Sequence, residues 1–242
     1  MNNEEKIAKL NSIISECNNI VFFGGAGVST ESGIPDFRSK DGLYNMKYDY
    51  PPEEILSHTF FIEHTTEFYR FYKDKLNSLK YKPNITHYKL AELEKNGKLK
   101  AVITQNIDGL HQLAGSKNVI ELHGTVLKNH CLKCHTFYGV EKIIESESVP
   151  RCEKCGGIIK PDVVLYEEGL NDNDIKKALK YISTCDTLII GGTSLTVYPA
   201  AGFVNYFNGK NLIIINKDIT NYDKYADLVI SDSLGNVFKT LL

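Results

Sequence analysis

The sequence predicts an α/β fold built on a doubly wound parallel sheet, and three observations predict it. Five short apolar runs recur along the chain: 20–23 (IVFF), 101–104 (AVIT), 187–190 (TLII), 212–215 (LIII) and 228–230 (LVI). They are continuous rather than alternating, which suits parallel strands covered on both faces. The first run ends in Gly24-Gly25-Ala26-Gly27, a strand feeding a glycine turn and then a helix. The stretches between runs are long enough for crossover helices, residues 172–183 being one.

Taken in order, residues 4–17 place Ile7, Leu10, Ile13, Ile14 and Cys17 at helical spacing and predict an amphipathic helix packed on the core. Residues 44–93 do not fit a sheet. With Phe60, Phe61, Phe68, Tyr69, Phe71 and Tyr72 close together, they predict a helical insertion. Residues 131–155 form the second interruption, bounded by cysteines and followed by Gly156-Gly157.

The chain has 242 residues, 42% apolar and 24% charged, with a formal net charge of -2. That is an ordinary globular composition without the basic excess expected of a nucleic-acid binder. The polar opening MNNEEKIAKL does not look like a signal peptide, and no apolar run nears the roughly 20 residues of a membrane span. A cytoplasmic protein is expected. Structural disulfides are rare in that compartment, so metal binding is the better reading of the paired cysteines.

Several motifs carry chemistry. Gly25-x-Gly27-x-x-Thr30 is a dinucleotide fingerprint with its third glycine replaced. Backbone amides at such a turn can cradle phosphate, and the same glycines also serve plain strand-to-helix turns. In Gly33-Ile34-Pro35-Asp36-Phe37-Arg38, the guanidinium suits phosphate and the ring can shield a reactive centre; an ordinary salt-bridged loop reads the same way. Gln105-Asn106-Ile107-Asp108-Gly109 follows a strand, where open sheets bind ligands. Its amides and carboxylate could recognise an amide ligand, or simply form a turn. His123 follows the apolar stretch 119–122 and precedes Gly124, a place for a general base. The chain has seven histidines, most of which should be structural.

The cysteine pairs speak most clearly. Cys131-x2-Cys134 and Cys152-x2-Cys155 are separated by the 17 residues 135–151, a spacing typical of a four-thiolate zinc site. With no open position, that zinc is expected to be structural. His130 and His135 flank the first pair as competing ligands. Cys17 and Cys185 are expected to be small core residues. Gly191-Gly192-Thr193-Ser194-Leu195 and Asn216 end two further strands, where a second half of a dinucleotide site would lie.

Together these segments resemble the sirtuin family: GAGVSTESGIPDFR at 25–38, QNIDGLH at 105–111, ELHG at 121–124, the cysteine pairs, GTSL at 192–195 and IN at 215–216. The resemblance implies one catalytic core over 1–242, like the minimal bacterial members. Residues 1–40, 95–125 and 161–242 would form a Rossmann-like large domain. The helical insertion 41–94 and the zinc-ribbon module 126–160 would form a small domain. It implies an NAD-dependent protein-lysine deacetylase, in which the acyl oxygen attacks the ribose as nicotinamide leaves. The resulting alkylamidate resolves to free lysine and O-acetyl-ADP-ribose, so NAD is consumed and no hydride moves. Carried over by position, Ala26, Thr30, Phe37 and Arg38 would line the NAD site. Gln105, Asn106, Ile107 and Asp108 would hold the ribose and nicotinamide, and Thr193, Ser194, Asn216 and Lys217 the adenosine half. His123 would be the general base, and Cys131, Cys134, Cys152 and Cys155 the zinc ligands.

Three positions depart from the family pattern. Gly24 stands where Thr is usual, which should loosen the loop slightly. Tyr166-Glu167-Glu168 replaces the Phe-Gly-Glu whose strand pairs with the substrate peptide. Members that remove succinyl groups carry a Tyr-x-x-Arg pair, and here Tyr69 is followed by Tyr72; an acetyl or other uncharged acyl group is expected. The alternatives are ADP-ribosyl transfer or NAD hydrolysis by the same ribose chemistry, a non-catalytic NAD-responsive module, and a zinc-ribbon nucleic-acid binder. The expected partners are acetyl-lysine proteins or peptides, with no membrane or direct nucleic-acid contact, and the expected state is monomeric.

Overall fold

The apolar runs form five of the six strands of one parallel sheet. The computed structural model describes residues 1–35, 50–75 and 80–241. Strands β1 (Ile20–Gly24), β2 (Leu99–Thr104), β3 (Val119–Glu121), β7 (Thr187–Gly191), β8 (Asn211–Ile215) and β9 (Leu228–Ile230) lie in the order β3-β2-β1-β7-β8-β9. The chain winds outward from β1 in both directions, so its switch point lies at the carboxyl ends of β1 and β7.

Alternate side chains of these strands point to opposite faces, and each face has its own core. Phe22, Val102, Ile189 and Ile213 pack with α1 (Asn3–Glu16), α5 (Ile85–Lys95) and α9 (Leu234–Phe238). Val21, Phe23, Ile103, Leu188, Ile190 and Ile214 pack with α8 (Asp172–Thr184) and the 3-10 segment Ala200–Tyr206. This double covering is why the strands lack polar alternation. The helix starts follow from their caps: Asn2 and Glu5 form a capping box on α1, and Asn171 accepts from Asn173 and Asp174 on α8.

A second, antiparallel sheet has the order β5-β4-β6, from β4 (Gly124–Cys131), β5 (Phe137–Gly139) and β6 (Ile159–Val163). Its core takes in Phe60, Phe61, Phe68, Tyr69 and Tyr72 from α3 (His58–Glu63) and α4 (Thr65–Lys75). Two short helices, α2 (Pro52–Ile55) and α7 (Val140–Ile144), complete this unit, and α6 (Leu110–Leu113) follows β2. In helix α5, Leu90 and Leu93 join the large sheet's core, because Thr86, His87, Leu90 and Leu93 put one buried stripe on it. Strand β6 runs past residue 160 to Val163 before the chain returns to the large sheet. Among the described residues no helix is long and apolar enough to cross a membrane.

Candidate active site and metal centre

Two glycine turns meet where the sheet order reverses. The turn after β1 and the turn after β7 touch through backbone: Gly25 N donates to Gly191 O at 3.3 Å, and Gly27 N to Gly192 O at 2.8 Å. A Cβ on Gly27 would lie 2.7 Å from Gly192 Cα. Close backbone approach, then, is what requires these glycines. Gly24, where a loosened loop was expected, is a buried strand residue paired with Thr104 and Gly191. The Phe22 ring lies where its side chain would be, 2.7 Å from the ideal Cβ position.

The residues after β2 close over this turn. Ser29, 1% exposed, donates from Oγ to Asp108 Oδ2 at 2.7 Å and accepts from Asn106 Nδ2 at 3.0 Å. Leu110 N donates to Asp108 Oδ1 at 2.9 Å, and Gln105 Nε2 to Thr193 Oγ1 at 3.0 Å. Burial raises the Asp108 carboxyl above its usual range, with the Leu110 and Ser29 bonds opposing. Ile107 packs on the small sheet's core. Ala26 and Thr30 lie half-buried on the first turn, and Thr30 Oγ1 donates to Gly27 O at 3.1 Å. Phe37 and Arg38 lie outside the described residues.

His123 sits between the two sheets. Its Nδ1 is 2.9 Å from Gln105 O. A carbonyl only accepts, so the neutral ring carries its proton on Nδ1 and leaves Nε2 as the basic nitrogen. Desolvation lowers its pKa, and the Gln105 bond partly opposes this. Gly124 follows with φ +74°, and a Cβ there would lie 1.8 Å from Asp162 O. Val164 N donates to His123 O at 2.9 Å. The glycine lets the chain turn sharply enough to hold the histidine there.

On the far side of the turns, Thr193 is buried while Ser194 and Lys217 are exposed. Asn216, at the end of β8, bonds Asp218 O through Nδ2 at 2.8 Å. Glu167, which stands at the family's glycine position, has a left-handed backbone at φ +74°. Its carboxylate accepts from Thr59 N at 2.9 Å and Thr59 Oγ1 at 2.8 Å, on the first turn of α3. Tyr69 and Tyr72 are both buried in the small core, and the Tyr69 hydroxyl donates to Ile159 O.

The four paired cysteines converge, their Sγ atoms all within 4.8 Å of one another. Neighbouring sulfurs lie 3.3–3.5 Å apart and none is in a disulfide. Two thiolates on one tetrahedral zinc are about 3.8 Å apart, so the set fits a closed four-sulfur zinc site. His130 is turned away, with Nδ1 2.8 Å from Asp162 Oδ1, and among the described residues neither it nor His135 joins the cluster. Tyr138 Oη donates to Cys152 Sγ at 3.1 Å and accepts from Glu153 N at 3.0 Å, a contact the spacing did not reveal. Gly157 is packed against Cys131 Sγ, 2.9 Å from its ideal Cβ.

The profile of the Sir2 family matches residues 25–199. The chain belongs to the Sir2 family. A curated relative from Clostridium perfringens (strain 13 / Type A), an NAD-dependent protein deacetylase, is 63% identical over 237 residues, covering 97% of each chain. Among solved structures, a Sir2–p53 peptide–NAD+ complex superposes with a TM-score of 0.86 at 38% identity, covering 96% of this chain and 95% of that one. Another, Sir2 with an inhibitor, 2'-O-acetyl-ADP-ribose and a deacetylated p53 peptide, gives 0.85 at 37%, covering 96% of each. The doubly wound sheet with a smaller zinc-ribbon unit is thus the sirtuin fold. Ser29 and Glu31 were missed as site residues by sequence reasoning, although both lie inside the motif that carries the family resemblance. Glu31 Oε2 accepts from Gly235 N at 2.8 Å and ties the first turn to α9.

Proposed function

We propose that this sirtuin is an NAD-dependent protein deacetylase that moves the acetyl group of acetyl-lysine onto ADP-ribose and releases nicotinamide. NAD is its consumed co-substrate, and one structural zinc holds the small sheet. The observation that carries the assignment of roles is the His123–Gln105 bond. It leaves Nε2 as the basic nitrogen, on a residue tied to the loop that carries the Asn106–Ser29–Asp108 network, at the carboxyl edge where such sheets bind nucleotides.

NAD supplies the electrophilic ribose carbon and the nicotinamide leaving group. This chain's part is to orient, exclude water and accept a proton. Ala26 and Thr30 line the NAD site on the first turn, and Phe37 and Arg38, outside the described residues, are assigned to the same site from their motif. Gln105, Asn106, Ile107 and Asp108 hold the ribose and nicotinamide end, with Asp108 fixed by Leu110 N and Ser29. Thr193, Ser194, Asn216 and Lys217 meet the adenosine half. His123 Nε2 accepts the proton of a ribose hydroxyl, and its lowered pKa keeps it neutral for that task. Cys131, Cys134, Cys152 and Cys155 hold the zinc, which ties β4 to β6 and so supports the chain entering and leaving His123.

The substrate is an acetylated or similarly uncharged lysine on a protein or peptide. Tyr72, buried in the small core, supplies no guanidinium for a distal carboxylate. A four-thiolate zinc site suits the reducing cytoplasm, where structural disulfides are rare. Incubation with NAD and an acetyl-lysine peptide, followed by mass spectrometry, tests the reading. Deacetylated peptide with an equal yield of acetyl-ADP-ribose is expected. ADP-ribosylated protein, or free ADP-ribose with the peptide still acetylated, would replace it with transfer or hydrolysis.

A further inference from the structure

We propose that Asn84, at the head of α5, is a positioning residue for NAD: its side-chain amide clamps the first glycine turn in its binding shape. This rests on the NAD-site reading above. The turn's internal backbone bonds are short-range: Val28 N, Ser29 N, Ser32 N and Gly33 N each donate to a carbonyl three residues back. The turn is two three-residue 3-10 segments, Ala26–Val28 and Thr30–Ser32, with a left-handed Gly33 after them. Bonds of this i to i+3 kind have poorer geometry than those of an α-helix and do not tie the turn to the rest of the fold, so its placement depends on what grips it.

Asn84 does more than a helix cap requires. Its Oδ1 accepts from Thr86 N at 2.9 Å, which is the capping bond. Its Nδ2 spends both hydrogens on the turn, donating to Val28 O at 2.8 Å and Ser32 Oγ at 2.9 Å. A cap needs only the oxygen; Ser or Asp would provide it. The amide donor is the part that reaches the turn.

The clamp has a firm anchor. Asn84 N donates to His87 Nδ1 at 3.2 Å, and His87 is fully buried beside His111, with ring centroids 4.7 Å apart. Leu90 and Leu93 bed the rest of α5 on the large sheet. The turn is therefore held against the sheet's own core, while Ser29 meets the 105–109 loop and Glu31 meets α9. A turn already in its binding shape spares the ligand the cost of ordering it.

The test compares Asn84→Ser and Asn84→Asp, which keep a capping oxygen, with Asn84→Ala, which keeps neither function. The zinc-loaded full chain is used, and NAD affinity is measured by calorimetry alongside kcat, both KM values and Tm. Losing two hydrogen bonds to the turn predicts NAD binding weaker by about tenfold in Asn84→Ser. Asn84→Asp, which sets an oxygen against Val28 O, should lose more. In both, kcat at saturating NAD and the KM for peptide stay within about twofold and Tm stays near wild type, while Asn84→Ala also loses Tm. Wild-type NAD affinity in the Ser and Asp variants would overturn the clamp. So would a proportional loss of kcat and peptide KM, which marks general damage. Because NAD binding is read without turnover, a wild-type chain that binds NAD but deacetylates nothing would sink the deacetylase reading alone.

Discussion

Single residues carry most of the chemistry, and two of them do so through the backbone they permit. Gly124→Ala would force a side chain into the Asp162 carbonyl at a left-handed position. The backbone strain alone costs about 1–3 kcal/mol, so urea unfolding should show at least that loss; unchanged stability would contradict the account. Glu167 holds the same kind of backbone but gains two bonds to Thr59. Glu167→Gly exchanges those bonds for relief of strain, whereas Glu167→Ala loses the bonds and keeps the strain. The expected order of Tm is Ala below Gly, and the reverse order would remove this explanation. For His123, the lowered pKa means the neutral base persists below the usual imidazole range. The acid limb of kcat/KM should then lie below pH 6.5, where an unperturbed histidine would place it at about that value.

At the scale of elements, the zinc module is the piece whose integrity is most exposed to test. It has only three strands, of eight, three and five residues, and its core borrows aromatics from α3 and α4. Tyr138→Phe removes the hydroxyl that donates to Cys152 Sγ. Removing such an outer contact typically weakens metal binding by about 10–100-fold, readable by competition with a chromogenic chelator. Undiminished affinity would show that the hydroxyl is not part of the zinc site. The cysteine spacing made the ligand set legible, since two knuckles can face one point only with such gaps. The small sheet was not legible, because β5 has only three residues and the alternation of β6, Ile159-Lys160-Pro161-Asp162-Val163, carries a proline at its centre that reads as a strand breaker. The large sheet was legible because double covering leaves continuous apolar runs. Helix α5 fell inside an expected insertion because its buried stripe says that it packs, not against which sheet. Ser29 and Asn84 escaped notice for the same reason: their partners lie 79 and 56 residues away in sequence.

Across the whole molecule, two buried histidines link folding to pH. His87 and His111 are held at about 4 and about 3 by desolvation, with mutual repulsion adding to the effect at His111. Both are therefore neutral in the folded chain at physiological pH, while the unfolded chain takes up protons below pH 6.5. The unfolded state binds more protons there, so stability is full above pH 6.5 and falls as pH drops toward 4 and 3. Each histidine contributes up to about 1.4 kcal/mol per pH unit in that window. Urea midpoints at pH 7.5 and 5.0 should differ clearly, and His111→Gln should reduce the difference; a flat profile would mean that the pair is hydrated or protonated when folded.

The central claim is that His123, aimed by the Gln105 carbonyl, is the base of an NAD-dependent deacetylation. Its most direct test is His123→Ala, with acetyl-lysine turnover and NAD affinity measured on the same protein. Turnover reduced by about a hundredfold or more, with NAD affinity within a few-fold of wild type, is the predicted result. Deacetylation at the wild-type rate in this variant would contradict it, and would move the base elsewhere in the cleft.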